Sequence, residues 1–383
     1  MKALGLGWLF RPKSPSVEVT SYVPPESSPW EKIDLLVDRH SAIPDHHFLP
    51  KQRQMTPDVK EAFHTEFPLA NSFLLHHGRG WNKALFYNRT PVILIHGAGM
   101  DATTAFDKLA PALVAAGHPV FAVTVPHNQW AVESWCHYLG AAIRHVKTMT
   151  DSRRVNLIGH SLGGIAASMY TTALRAPWMS HYEDREVDKL VLLGSPRAGF
   201  DAHLRFTGIN TVAFNRDDPR KNYPMTWTAV RVGWVKVNTK DLSLVGGYFP
   251  AMCQITRSWD EEDPIPDEDT QTRMTYYGTP PDKSSDFDAP GIETVMDAGG
   301  RFIERLMASP VSSDVKLFQV AGTYPLPDVP PLYALPNDGY VLRESAWYYH
   351  ASEQVTFQEL PLNHRELVRA RSAVQLIIKD LEG

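Results

Sequence analysis

The sequence predicts an α/β domain, with a mostly parallel central sheet flanked by helices and carrying a cap insertion, and three observations lead there. Short apolar runs alternate with stretches of helical period between Ala84 and Leu193, the order that builds a parallel sheet covered on both faces. Two of those runs end in glycine-rich turns, His96-Gly97-Ala98-Gly99 and Gly159-His160-Ser161-Leu162-Gly163, where open α/β sheets place their functional loops. The 383 residues are 43% hydrophobic and 21% charged, which suits a globular chain with a buried core and disfavours wholesale disorder, collagen and coiled coil.

Each element follows from local chemistry. The first stretch carries Pro12, Pro15, Pro24, Pro25, Pro29, Pro44 and Pro50. Each proline removes a donor and fixes φ, so residues 1–60 read as an irregular N-terminal arm. The first part of the core, 61–197, opens with strands at Ala84–Tyr87 and Pro91–Ile95. Ala105–Ala116 then sets Phe106, Leu109, Ala110, Leu113 and Val114 on one helical stripe that Gly117 ends. Strands at Val120–Val125, Arg154–Ile158 and Lys189–Leu193 alternate with helices at Ser134–Met149 and Leu162–Leu174.

The alternation breaks over 198–313, where Trp, Tyr, Pro and acids accumulate and a cap or lid insertion is expected. Within it, Thr226–Phe249 is apolar enough for a lid, while the alternation around Ala229–Val237 suits a small packed hairpin. The second part of the core, 314–383, resumes with strands at Val315–Ala321 and Gln354–Glu359 and a helix at Glu366–Leu381. No repeat of fixed period points to a solenoid or propeller.

Composition also excludes function classes. The net charge of −5 supplies no global basic field for a nucleic-acid backbone. Ala3–Phe10 runs into Arg11-Pro12-Lys13 without a small-residue cleavage site, and no run of about 18 apolar residues occurs, so the chain is expected to be soluble and cytoplasmic, without an integral membrane segment. Cys136 and Cys253 cannot make a disulfide scaffold or a four-thiolate metal site; a single bridge between them is the alternative to the free thiols expected. His40, His46, His47, His64, His76 and His77 make no coordination shell by adjacency alone. The acidic runs Asp260–Asp263 and Asp267–Asp269 lack EF-hand spacing and read as a solvated loop, so no metal site is assigned.

The chemistry concentrates at Ser161. Gly159 and Gly163 flank it at the G-x-S-x-G spacing, where missing side chains permit the tight strand-to-helix turn that projects a hydroxyl over the sheet edge. Its neighbour Leu162 opens a helix, so the Leu162 amide can donate to a developing oxyanion, favoured by the helix dipole. Ala98, between Gly97 and Gly99, is the candidate second donor, through its backbone. His96 reads as shaping that turn. Neither stretch matches G-x-x-x-x-G-K-[ST], which argues against a phosphate loop.

Through His96-Gly97-Ala98-Gly99, Gly159-His160-Ser161-Leu162-Gly163-Gly164, Asn337-Asp338-Gly339-Tyr340-Val341 and Asn363-His364, the sequence resembles the α/β-hydrolase superfamily, and within it the bacterial triacylglycerol lipases and related esterases. The likeness spans roughly residues 84–195 and returns over 315–381; Arg365 and Glu366 after the histidine depart from the commoner lipase pattern. The resemblance implies an α/β-hydrolase fold and a triad in the order serine, acid, histidine. Asp338 is the leading acid, with Asp217, Asp218 and Asp328 as alternatives; His364 is the leading base, with His350 as the alternative. It implies hydrolysis of a small-molecule or lipid carboxylic ester through an acyl-enzyme, without a cofactor. An acyltransferase or thioesterase would use the same groups, and a noncatalytic ligand-binding protein on this scaffold is the remaining alternative.

Overall fold

The computed structural model describes residues 17–38, 61–64, 69–84, 88–126, 130–174, 185–205, 230–232, 235–237, 250–278, 291–327 and 331–383. Its strands are β1 (Val17–Tyr22), β2 (Trp30–Asp38), β3 (Ser72–Gly78), β4 (Val92–Ile95), β5 (Val120–Thr124), β6 (Val155–His160), β7 (Val187–Leu193), β8 (Val230–Val232), β9 (Val235–Val237), β10 (Lys316–Gly322) and β11 (Val355–Leu360). Nine of them form one sheet in the order β1-β2-β3-β5-β4-β6-β7-β10-β11. The pairs β1/β2, β2/β3 and β3/β5 are antiparallel, and every pair from β5 to β11 is parallel.

β4, β5 and β6 are buried along their whole length, which is why they read as continuous apolar runs instead of alternating ones. Successive side chains still point to opposite faces. Ile93 and Ile95 join the cluster under the Val132–Thr150 and Leu162–Thr171 helices, with Trp135, Leu139 and Ile165. Val92 and Leu94 join the opposite cluster, with Leu109, Leu113, Val374 and Ile377 from the Leu109–Ala115 and Arg371–Glu382 helices. Burying each such aliphatic side chain stabilises the fold by roughly 1.5–3 kcal/mol. The strand order turns back at β4, which lies between β5 and β6. This reversal brings the loops after β4 and β6 together at the carboxyl edge, where ligands of open α/β sheets bind.

Several expectations are corrected. The N-terminal stretch is not simply an irregular arm: β1 and β2 extend the main sheet, and Pro24, Pro25 and Pro29 fall in the connection between them. Proline there marks a turn between strands. His76 and His77 lie on β3 and are buried. Instead of a strand from Ala84, Trp81–Ala84 forms a short helix in which the Lys83 and Ala84 amides bond back to the Gly80 carbonyl; residues 85–87 lie outside the described residues. The helix expected over 105–116 is two, Ala102–Ala105 and Leu109–Ala115. Pro111 would clash with the carbonyl four residues back in a continuous helix, but is tolerated in the first turn of a new one. β8 and β9 pair antiparallel within the stretch expected to form a hairpin; most of Thr226–Phe249 lies outside the described residues. The final helix is a 3-10 turn at Glu366–Val368 followed by Arg371–Glu382. Cys136 and Cys253 are buried and not joined by a disulfide. No helix among the described residues is long and apolar enough to cross a membrane.

Candidate functional site

Ser161 stands between β6 and the Leu162–Thr171 helix with φ 53° and ψ −125°. A non-glycine residue held there is strained, and such strain persists only where surroundings over-determine it. Those surroundings are visible: the Ser161 amide donates to the Leu193 carbonyl at 3.0 Å, and its carbonyl accepts from the Gly164 amide at 3.0 Å. Its side chain makes no capping bond to the helix it precedes. The flanking glycines are required by packing. A Cβ at Gly159 would lie 2.4 Å from the Gly164 Cα, and one at Gly163 would lie 2.3 Å from the His96 carbonyl oxygen.

Asp338 and His364 come together from the loops that follow β10 and β11, 26 residues apart in the chain. His364 Nδ1 donates to Asp338 Oδ2 at 2.7 Å, and Asp338 is 1% exposed. The other carboxylate oxygen, Oδ1, accepts from the amides of Tyr340 at 3.1 Å and Val341 at 2.8 Å. The His364 amide donates to the Asp338 carbonyl at 2.8 Å. A buried carboxylate needs such donors to remain charged. With Nδ1 committed to Asp338, Nε2 is the ring nitrogen left to take or give a proton.

Two glycines make room for this pair and escaped the sequence reading. At Gly194, with φ 54°, a Cβ would lie 2.8 Å from Asp338 Oδ2 and 3.1 Å from His364 Nδ1. At Gly322, the end of β10, it would lie 2.4 Å from the Leu362 carbonyl oxygen and 2.8 Å from the Asp338 Cβ. Neither glycine sits in a recognisable local motif, because its constraint comes from residues of other segments of the chain.

Two further histidines hold the frame. The Val125 amide can only donate, so His96 Nε2, 3.3 Å away, is its acceptor; the ring proton is then on Nδ1, which donates to the Gly97 carbonyl at 2.8 Å. Burial pushes the His96 pKa down, which keeps the ring neutral. His96 thus fixes the turn carrying Ala98. His160 Nε2 donates to the His364 carbonyl at 3.0 Å, and the two rings lie 4.6 Å apart. Burial first, and the neighbouring His364 second, hold the His160 pKa well below its ordinary value.

Ser161, Leu162, Ala98 and His364 line one cavity of about 460 Å³, together with apolar Met100, Phe200, Met252, Ile255 and Val341. That volume is within the usual range for small-ligand sites, roughly 300–1,000 Å³. Asp338 stands behind His364, touching it by the 2.7 Å bond. His350, the alternative base, pairs with Ser352 Oγ at 2.8 Å instead and does not line this cavity. Asp217, Asp218 and Asp328 lie outside the described residues. Among the described residues no group of three or more His, Cys, Asp or Glu side chains could hold a metal ion.

The acidic run expected to be solvated contains one exception. Asp263 is 4% exposed and accepts two backbone amides through Oδ2, from Ala334 at 2.8 Å and Leu335 at 2.7 Å. The cost of burying it is met by those donors and by Arg205, whose Nη1 is 3.4 Å from Asp263 Oδ1.

Comparison with known proteins gives the family. Residues 92–346 match the model of a family described as the alpha/beta hydrolase family. The propeptide form of Bacillus licheniformis lipase BlEst2 is 15% identical at a TM-score of 0.42, over 76% of this chain and 50% of that one, so the chain spans half the length of that relative. The mature form of the same lipase is 14% identical at a TM-score of 0.41, over 76% and 92% of the two chains. Aspergillus fumigatus lipase B is 13% identical at a TM-score of 0.43, over 78% and 54%. No curated protein matches the sequence.

Proposed function

Because the chain belongs to the alpha/beta hydrolase family, we propose that it is a serine hydrolase cleaving carboxylic esters, lipase-like or carboxylesterase-like, through an acyl-enzyme. The observation that carries this reading is the 2.7 Å Asp338–His364 bond beside a cavity that both His364 and the strained Ser161 line.

A neutral hydroxyl is a poor nucleophile, so His364 Nε2 takes the Ser161 proton as Oγ attacks the ester carbonyl carbon. The carbonyl oxygen becomes an oxyanion facing the amides of Ala98 and Leu162. Leu162 is in the first turn of its helix, where amides have no intrahelical acceptor and the dipole favours negative charge. Asp338 holds the ring tautomer and stabilises the imidazolium. The imidazolium returns the proton to the departing alcohol, leaving Ser161 acylated; His364 then deprotonates a water that attacks the acyl carbon, and the acid is released as Ser161 regains its proton. In such sites the hydroxyl and imidazole close to hydrogen-bonding distance on substrate binding.

The cavity's apolar wall supports an apolar acyl or alcohol group. Phe200, Met252 and Ile255 come from the proposed cap insertion, 198–313, which thereby shapes the substrate. The test is turnover of p-nitrophenyl esters from acetate to palmitate. Ser161→Ala is expected to lower kcat by a factor on the order of 10⁴ or more, and His364→Ala by at least about 10³, in folded protein. Undiminished turnover in folded Ser161→Ala would remove the reading.

A further inference from the structure

Asp263 lies outside the cavity just described, yet its carboxylate is joined to the loop that carries Asp338. Through Oδ2 it accepts the amides of Ala334 at 2.8 Å and Leu335 at 2.7 Å. The Leu335 carbonyl accepts from Asn337 Nδ2 at 2.8 Å, and Asn337 Oδ1 accepts from the Gly339 amide at 2.9 Å. These bonds run from Asp263 through Leu335 and the Asn337 side chain to the peptide unit that follows Asp338. Asp263 thus fixes the start of the loop whose later residues, Tyr340 and Val341, give their amides to Asp338 Oδ1.

The anchor at the other end is itself buried and over-determined. Arg205 donates to the Asp263 carbonyl at 2.8 Å, and its Nε is 3.1 Å from Asp201 Oδ1. Tyr333, beside Ala334, donates its hydroxyl to Asp201 Oδ1 at 2.7 Å, and Tyr276 donates to Oδ2 at 2.5 Å. The Arg205 guanidinium lies over both rings, 4.9 Å from the Tyr333 centroid and 5.6 Å from that of Tyr276. Asp201 and Asp263 thus grip neighbouring residues of one loop, and Arg205 bridges them. The pKa of Arg205 is raised: burial, the largest single effect, opposes its charge, but Asp201, Tyr333 and Tyr276 together outweigh it.

We propose that Asp263, bridged by Arg205 to Asp201, is a positioning residue that holds the Ala334–Gly339 loop so that Asp338 meets His364. This rests on the serine-hydrolase reading for its catalytic consequence, while the placement of the Asp338–His364 pair can be read independently. Misplacing a catalytic group by about 1 Å can cost on the order of 100-fold in rate. Asp263→Asn keeps the size but offers one acceptor and two donors to a site lined by amide and guanidinium donors, so at least one donor is left facing another.

The test is a double-mutant cycle. Asp263→Asn is expected to lower kcat for p-nitrophenyl butyrate at least about ten-fold per folded molecule with KM changed less than about two-fold. In the Asp338→Asn background the same substitution should cost less than about two-fold, because its target is already gone. Arg205→Lys, which keeps the charge and loses the fork, should repeat the pattern with a smaller loss, and serves if Asp263→Asn does not fold. Equal losses in both backgrounds, or no loss in a folded variant, overturn the proposal. Proton NMR of the His364 Nδ1–H bonded to Asp338 reads the pair without turnover: the downfield resonance should shift or vanish in the variant. An unmoved resonance overturns the proposal even if wild type cleaves no ester, whereas a moved one in an inactive wild type sinks only the ester-hydrolase reading.

Discussion

Ser161 carries its chemistry in its backbone: a φ of 53° is tolerated only because Gly159 and Gly163 let other main-chain atoms crowd in around it. That requirement is local, which is why G-x-S-x-G was legible in the sequence. Asp338 and His364 were legible through chain order and their turn contexts, and the structure brings them to 2.7 Å. Gly194 was not legible, because the atoms it must avoid belong to residues 338 and 364. Gly194→Ala is expected to lose about 1–3 kcal/mol of stability from the left-handed φ and the collision. Its kcat should also fall, on the order of ten-fold or more, as Asp338 and His364 are pushed apart. Denaturant unfolding and ester turnover measure the two losses, and wild-type values of both would remove the role given to this glycine. Asp263 was misread for the reason that hid Gly194: a run of acids looks solvated unless its distant donors are known.

At the scale of elements, the edge of the sheet near β10 and β11 is held by a buried ion pair. Arg197, just after β7, donates through Nη1 to Glu353 Oε2 at 2.8 Å and through Nη2 to Oε1 at 3.0 Å; Glu353 also accepts the Val311 amide at 2.7 Å and the His350 amide at 3.0 Å. Burial alone would raise the Glu353 pKa, but the hydrogen bonds and charge of Arg197 bring it below its ordinary value of 4.5. A depressed carboxylate contributes stability that is present above the unfolded pKa and lost as pH falls through the folded one. Glu353→Gln is therefore expected to be about 3–5 kcal/mol less stable near neutrality, because it leaves a buried guanidinium without its charge partner. The gap to wild type should narrow as pH drops below 4.5. Urea unfolding at stepped pH checks this, and a gap that widens toward acid would contradict it. The regular strands and helices from β4 to β7 were legible because burial on both faces leaves continuous apolar runs. β1 and β2 were not, since their prolines drew attention to the connection, and the break before Leu109 was hidden inside an unbroken apolar stripe.

For the molecule as a whole, the sheet order explains why one cavity gathers residues from positions 98, 161 and 364, with Met252 added from the Pro250–Gln254 helix. The reversal at β4 sets the turn after β4 beside the turn after β6, and β10 and β11 then bring the Asp338 and His364 loops to the same carboxyl edge. The alternation of strands and helices made the sheet's class legible, but not its order or its three antiparallel pairs at the β1 side. The proposed reaction makes the Ser161 hydroxyl the activated nucleophile of the whole assembly. Mass spectrometry of the intact and digested protein after reaction with a fluorophosphonate tests it. The expected result is one adduct per chain, on Ser161, with ester turnover lost in proportion and no labelling in His364→Ala on the same timescale. An adduct on another residue, or full turnover in protein labelled at Ser161, would contradict it.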